Sequence, residues 1–86
     1  MIKDIKECAD LFRLGQHTRA NELFVQIIDG LQDFQKEQIV PITGLLGLLS
    51  NILGAQQRGD NSNIADLLEY ELIPLLESHL KQDGET

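Results

Sequence analysis

The stretch from Gln38 to Gln57, QIVPITGLLGLLSNILGAQQ, holds no charged residue, while both flanks are dense in Asp, Glu, Lys and Arg. Such a stretch must be buried in protein, in lipid or in a partner, because exposure to water forfeits the burial free energy of its Leu and Ile side chains. The rest of the chain reads as the material that buries it. At about 100° per residue, Thr43, Gly47, Ser50, Asn51 and Gly54 fall within roughly a third of a helical circle. Ile42, Leu45, Leu46, Leu48, Leu49, Ile52, Leu53 and Ala55 fill the remainder. A strand is excluded, because Leu45, Leu46, Leu48 and Leu49 do not alternate with polar residues. A run of this length sits at the lower edge of a membrane span. Pro41, three glycines and Asn51 interrupt it, and it has no aromatic anchors or basic flank. A nearly encircled core helix is the expectation.

The small face of that helix has two readings. Gly47, Ser50 and Gly54 would let another backbone approach closely, from a neighbouring helix or across a two-fold axis. Alternatively the face looks at solvent, and each glycine lowers helix stability by about 1 kcal/mol. Close packing is the reading favoured here, and with it a homodimer that has Gly47 and Gly54 at or near the contact.

Three amphipathic segments surround this helix. Ile2, Ile5, Cys8, Ala9 and Phe12 recur at spacings of three and four, which predicts a first helix over about residues 2–14. Gly15 stops it in the left-handed conformation that glycine adopts without strain. Thr18 is the expected N-cap of a second helix. Ala20, Leu23, Phe24, Ile27, Ile28, Leu31 and Phe34 form its stripe, and it runs to about Lys36 or Glu37. Leu23, Phe24, Ile27 and Leu31 are expected to pack on the apolar arc of the third helix. Pro41 marks that third helix's start, since proline at the first helical position loses no hydrogen bond. The run Arg58-Gly59-Asp60-Asn61-Ser62-Asn63 is dense in turn and cap residues. Its RGD tripeptide, without a secretion signal, is a chance match. A fourth helix follows, capped by Asp60, Ser62 or Asn63. Its stripe is Ile64, Leu68, Leu72, Leu75 and Leu76, and Pro74 predicts a kink. Residues 1–82 read as one helical domain and 83–86 as a disordered tail.

Charge and cysteine content narrow the function. At 86 residues the chain makes one domain with a small core. Its formal charge of −7 argues against phosphate-led nucleic-acid binding and an anionic membrane surface, and favours solubility and basic partners. One cysteine, Cys8, permits neither an internal disulfide nor a cysteine-based zinc site. The N-terminus lacks an apolar h-region, so a cytoplasmic location is expected.

Two resemblances bear on the fold. Gly15, Ala20 and Phe24, within Leu14-Gly15-Gln16-His17-Thr18-Arg19-Ala20, keep the spacing of the turn and second helix of a tetratricopeptide unit. The stretch 14–28 therefore resembles one such hairpin. No second copy follows 34 residues later, where Leu49 and Gly54 stand in place of Gly and Ala. The resemblance implies hairpin geometry and no peptide-binding groove. A similar spacing follows Gly59, with Ile64, Ala65 and Leu68, which suggests two αα-hairpins. The pattern Gly59-Asp60, Ala65-Asp66-Leu67-Leu68-Glu69-Tyr70-Glu71-Leu72, Pro74-Leu75-Leu76-Glu77 is similar to the ending of small, uncharacterised bacterial all-helical proteins. It implies bacterial origin and a small helical fold.

No catalytic arrangement is expected. Asp66, Glu69 and Glu77 share the solvated face of the fourth helix. Glu77 and His79 stand two apart, so they lack the Glu-x-x-His geometry of a di-metal bundle. Cys8 lies on an apolar stripe, where a thiol is inert. His17 is placed in a turn and His79 at the core edge. The glycines of the third helix follow no strand and precede no Lys, so they are not a phosphate loop. Glu71 falls at the edge of the fourth stripe and would need a partner there. Leu67, Tyr70 and Pro74 make a second, smaller apolar stripe suited to docking.

The expectation is an all-α, four-helix bundle of two antiparallel hairpins with no metal or cofactor and no enzymatic activity. It would be a cytoplasmic adaptor or chaperone-like module that binds another protein or itself. The candidate contact residues are Gly47, Ser50, Gly54, Leu67, Tyr70 and Pro74. A regulatory or antitoxin-like subunit is the alternative, and a metal-binding or enzymatic bundle the less favoured one.

Overall fold

The computed structural model describes residues 2–37 and 44–84, with side chains through residue 79. Helix α1 spans Ile2–Arg13, α2 His17–Lys36 and α3 Leu45–Arg58. The fourth helix is a continuous rod over 61–84. It comprises α4 (Asn61–Asp66), a π-helical turn (Leu67–Leu72) and α5 (Ile73–Gly84). The fold is an all-α, four-helix bundle of two antiparallel hairpins, α1–α2 and α3 with the rod. None of the described residues forms a strand. The expected start of the third helix at Pro41 lies outside the described residues, as do Thr43 of the small face and residues 85–86 of the tail, whereas residues 83–84, expected in that tail, continue the last helix. The α3 helix begins after Gly44, whose φ of 84° is not helical.

Both hairpins turn by the same device. Gly15 and Gly59 sit at φ 78° and 71°, a left-handed conformation that is strained for residues with a Cβ. The Gly15 N–H donates to Phe12 O and the Gln16 N–H to Leu11 O, at 3.2 and 3.0 Å. Gly59 and Asp60 repeat this, donating to Gln56 O and Ala55 O at 3.0 Å each. These are Schellman pairs, which satisfy the last carbonyls of α1 and α3. Gln16 and Asp60 then share nearly one conformation, at φ/ψ of −85°/68° and −87°/76°. The echo of Gly15 around Gly59 is thus a repeated turn. Position five after each glycine, Ala20 and Ile64, is fully buried, as is position nine, Phe24 and Leu68. The turns lie side by side, with His17 Nε2 and Asn61 Nδ2 3.0 Å apart.

The second helix starts one residue before the expected cap. Gln16, not Thr18, is the N-cap, and its side chain makes no capping bond. The Schellman turn sets Gln16's backbone, so the helix begins without a hydroxyl cap. At the fourth helix Asp60 is the cap, with Oδ1 accepting from the Asn63 N–H at 3.3 Å.

The core is wholly apolar, and no polar or charged residue is buried among the described ones. The α2 stripe turns mainly to α1, which corrects the expected packing on the third helix. Phe12 and Phe24 meet edge to face, with centroids 6.2 Å apart. Three sides of the bundle are closed by direct helix packing: α1 on α2, α1 on the rod, and the rod on α3. Among the described residues, α2 and α3 do not close on each other in that way.

Irregularity at Pro74 takes the form of the π turn that precedes it. Ile73 N–H donates to Leu68 O, five residues back. Widening the turn here relieves the contact between the proline ring and the carbonyl four residues before it. It also keeps the core row straight. Residues four apart in an α-helix drift by about 40° per step. Ile64, Leu68, Leu72 and Leu76 are all buried, because the wide turn takes back part of that drift. Glu71 is turned out to solvent and needs no buried partner, contrary to the α-helical wheel.

Cys8 closes the α1–α2 contact. Its thiol is fully buried and donates to the Ala20 carbonyl at 3.4 Å. Burial pushes its pKa from the usual 9.0 up to about 12, and the charge of Glu7 adds to the rise. The folded state therefore holds this proton to higher pH than the unfolded chain. Stability from this group is complete below pH 9 and is lost as the pH climbs toward 12. Ellman's reagent at pH 8 is expected to find no reactive thiol in the native protein and the single one after unfolding in guanidinium.

Candidate functional site

Among the described residues, the side left without close packing is an open groove of about 540 Å³ between the second half of α2 and the stretch of α3 from Leu46 to Leu53. Ile28 from α2 and Leu46, Leu49 and Leu53 from α3 form its apolar lining. Gln32, Gln35, Lys36 and Ser50 complete it. The apolar arc of α3 is wider than one rod can cover, so part of it must face this gap. Leu45, Leu48, Leu49, Ile52 and Ala55 are buried, but Leu46 is 74% exposed and Leu53 38%.

A second depression, of about 420 Å³, lies on the other flank of α3, against α4 and the start of the π turn. Ser50, Asn51, Gly54, Arg58, Asn63 and Leu67 line it. Ser50 belongs to both, so the grooves share an edge. None of the described residues lining either one is Asp or Glu.

The expected contact residues separate in the structure. Ser50, Gly54 and Leu67 come together in the second depression. Gly47 is exposed on α3, and a Cβ there would meet nothing within 4 Å. At Gly54 a Cβ would meet only Arg58 Nη1, at 3.4 Å. No other helix among the described residues therefore comes into close contact at Gly47 or Gly54. Gly47→Ala is expected to raise stability by about 1 kcal/mol through helix propensity alone. That is a rise of about 4–8 °C in melting temperature. Destabilisation with a drop in mass by light scattering would instead place Gly47 between two copies.

Tyr70 and Pro74 are exposed and line neither groove. Tyr70 belongs to a charged cluster that joins α1 to the rod. Arg13 donates from Nη1 to Glu69 Oε1 and from Nη2 to Asp66 Oδ1, the latter at 3.1 Å. Asp10 lies 4.0 Å from the same guanidinium, and Tyr70 presents its ring 5.7 Å from Arg13 Cζ. The hydrogen bond to Glu69 and then that to Asp66 hold the guanidinium pKa above its usual value. The Asp66 and Glu69 face, taken as solvated, is thus an inter-helix clamp. Sequence spacing could not show it, because its members lie more than 50 residues apart.

The two histidines sit at opposite ends of the bundle. His79 is half-buried and meets Phe34 edge to face at 6.1 Å. His17 occupies the first turn of α2. Among the described residues, no three His, Cys, Asp or Glu side chains are grouped to hold a metal ion. None of the described helices is long and apolar enough to cross a membrane.

Comparison with curated proteins and with solved structures finds no match. A family model does match, over residues 1–82. Its span takes in both hairpins, both grooves and the Arg13 clamp. The chain belongs to the family described as a domain of unknown function, DUF8042.

Proposed function

We propose that this protein works without catalysis, as a small adaptor or chaperone-like module that binds another protein through the open α2–α3 side. One observation carries this reading. Leu46 stands 74% exposed at an apolar groove that the described helices do not close. Large apolar side chains gathered at a concave surface lose burial free energy until something covers them. The charged groups that do cluster, around Arg13, are engaged with one another and tie α1 to the rod. The single thiol is buried and held protonated.

The test is site-specific photo-crosslinking in the source cell. A benzophenone amino acid at Leu46 is expected to give a discrete adduct. The same group at Val25, which is 55% exposed but outside the groove, is the control. Identical adduct patterns at the two positions, or none at Leu46, would refute the docking role.

A further inference from the structure

We infer that the occupant of the open α2–α3 side is an amphipathic helix bearing a carboxylate, and that Arg58 receives that carboxylate in the adjoining depression. The inference rests on the docking role proposed above and specifies the partner's chemistry.

Charge distribution is the first argument. The chain has 14 acidic residues against 7 basic ones. Yet the only charged residues described in the lining of the two grooves are Lys36 and Arg58. An apolar surface bounded by two cations, on a protein that is otherwise acidic, complements an apolar and acidic partner. A basic partner would meet carboxylates almost anywhere else on this molecule.

Arg58 itself is the second argument. Arg13 is held by three carboxylates, whereas Arg58 forms no ion pair among the described residues. Asp60, two residues on, accepts a bond from the Asn63 N–H at the start of α4. Gly54 leaves space one turn before Arg58, so the guanidinium folds back along α3, with Nη1 3.4 Å from where a Cβ would stand. There it shares the depression with the amides of Asn51 and Asn63 and the hydroxyl of Ser50. A planar guanidinium flanked by neutral hydrogen-bonding groups suits a carboxylate, which it can hold with two parallel bonds.

Adjacency joins the two sites. Ser50 lines both, so a segment seated on Leu46, Leu49 and Leu53 needs only to reach past one short side chain. A helix offering apolar residues at i, i+3/i+4 and i+7 matches the groove, and an Asp or Glu beside that face meets Arg58.

A displayed library of randomised amphipathic helices, selected on the full chain, tests this. Binders are expected to share an Asp or Glu at one fixed offset from their apolar face. Arg58→Gln should weaken them about threefold, as for a partly exposed ion pair, and less so at high salt. Arg58→Glu should shift the selected charge to Lys or Arg. Both Arg58 and Leu46 are exposed, so circular dichroism melts of these variants should stay near the parent's. Binders that lose affinity in Leu46→Gln but ignore Arg58→Gln would overturn the carboxylate role and leave the groove standing. Failure to select binders, or binders indifferent to Leu46→Gln, would overturn the docking role itself. A parent that scatters light as a dimer, and becomes a monomer in Leu46→Gln, would assign the groove to a second copy and overturn the inference.

Discussion

Replacing Phe24 by alanine is expected to cost about 3–5 kcal/mol, the range for emptying a buried aromatic site. Phe24 is only 2% exposed and stands edge to face against Phe12, between α1 and α2. Truncation removes its burial, leaves a cavity and breaks the ring pair, which is itself worth about 0.5–1.5 kcal/mol. Small domains hold about 0.05–0.15 kcal/mol per residue, so 86 residues hold about 4–13 kcal/mol and a loss of this size removes from about a quarter to all of it. Urea titration followed by circular dichroism measures it. The midpoint should fall sharply or the native baseline disappear. A melt within a few degrees of the parent would contradict the burial of this ring. The mutation reports on the α1–α2 hairpin and leaves the groove-lining residues untouched.

The second large effect separates two neighbours in the π turn. Leu72→Ala should cost about 2–5 kcal/mol, because Leu72 is fully buried in the core row of the rod. Glu71→Ala should stay within about 0.5 kcal/mol of the parent, because its carboxylate faces water. A regular α-helix would bring Glu71 to the edge of the core, where its removal would matter. Matched urea titrations of the two variants decide between the geometries. A large loss for Glu71→Ala would rule out the π turn.

The groove predicts a dissociation between stability and binding. Leu46 and Arg58 are exposed, so changing them should alter partner contacts and barely alter melting. Phe24 and Leu72 should do the reverse until the fold itself is lost. That separation distinguishes a docking surface from an incompletely packed core.

Much of the architecture was legible in local chemistry. The stripes of α1 and α2 read directly from spacing, since Ile5, Cys8, Ala9 and Phe12, like Ala20, Phe24, Ile27 and Leu31, proved buried. Both turns were announced by glycine, because positive φ is a property of one residue and its immediate neighbours. Thr18 misled for the converse reason. A good capping side chain is a local preference, and the preceding Schellman turn had already set where the helix begins. Half of the expected contact set, Ser50, Gly54 and Leu67, reached one site. Helical spacing put the first two on a common face, but only the approach of α4 and the π turn brought Leu67 to them.

Periodicity, capping and glycine placement act within a turn or two of chain. By themselves they determined that this protein is helical, where its first three helices stop, and which face of each is apolar. The tertiary structure decided which apolar faces meet. It paired α2 with α1, left α2 and α3 without close packing among the described residues, drew Arg13 to Asp66 and Glu69, and inserted a π turn that carries Glu71 outward. These outcomes depend on interhelical distance and rotation, which are set by the simultaneous packing of all four helices.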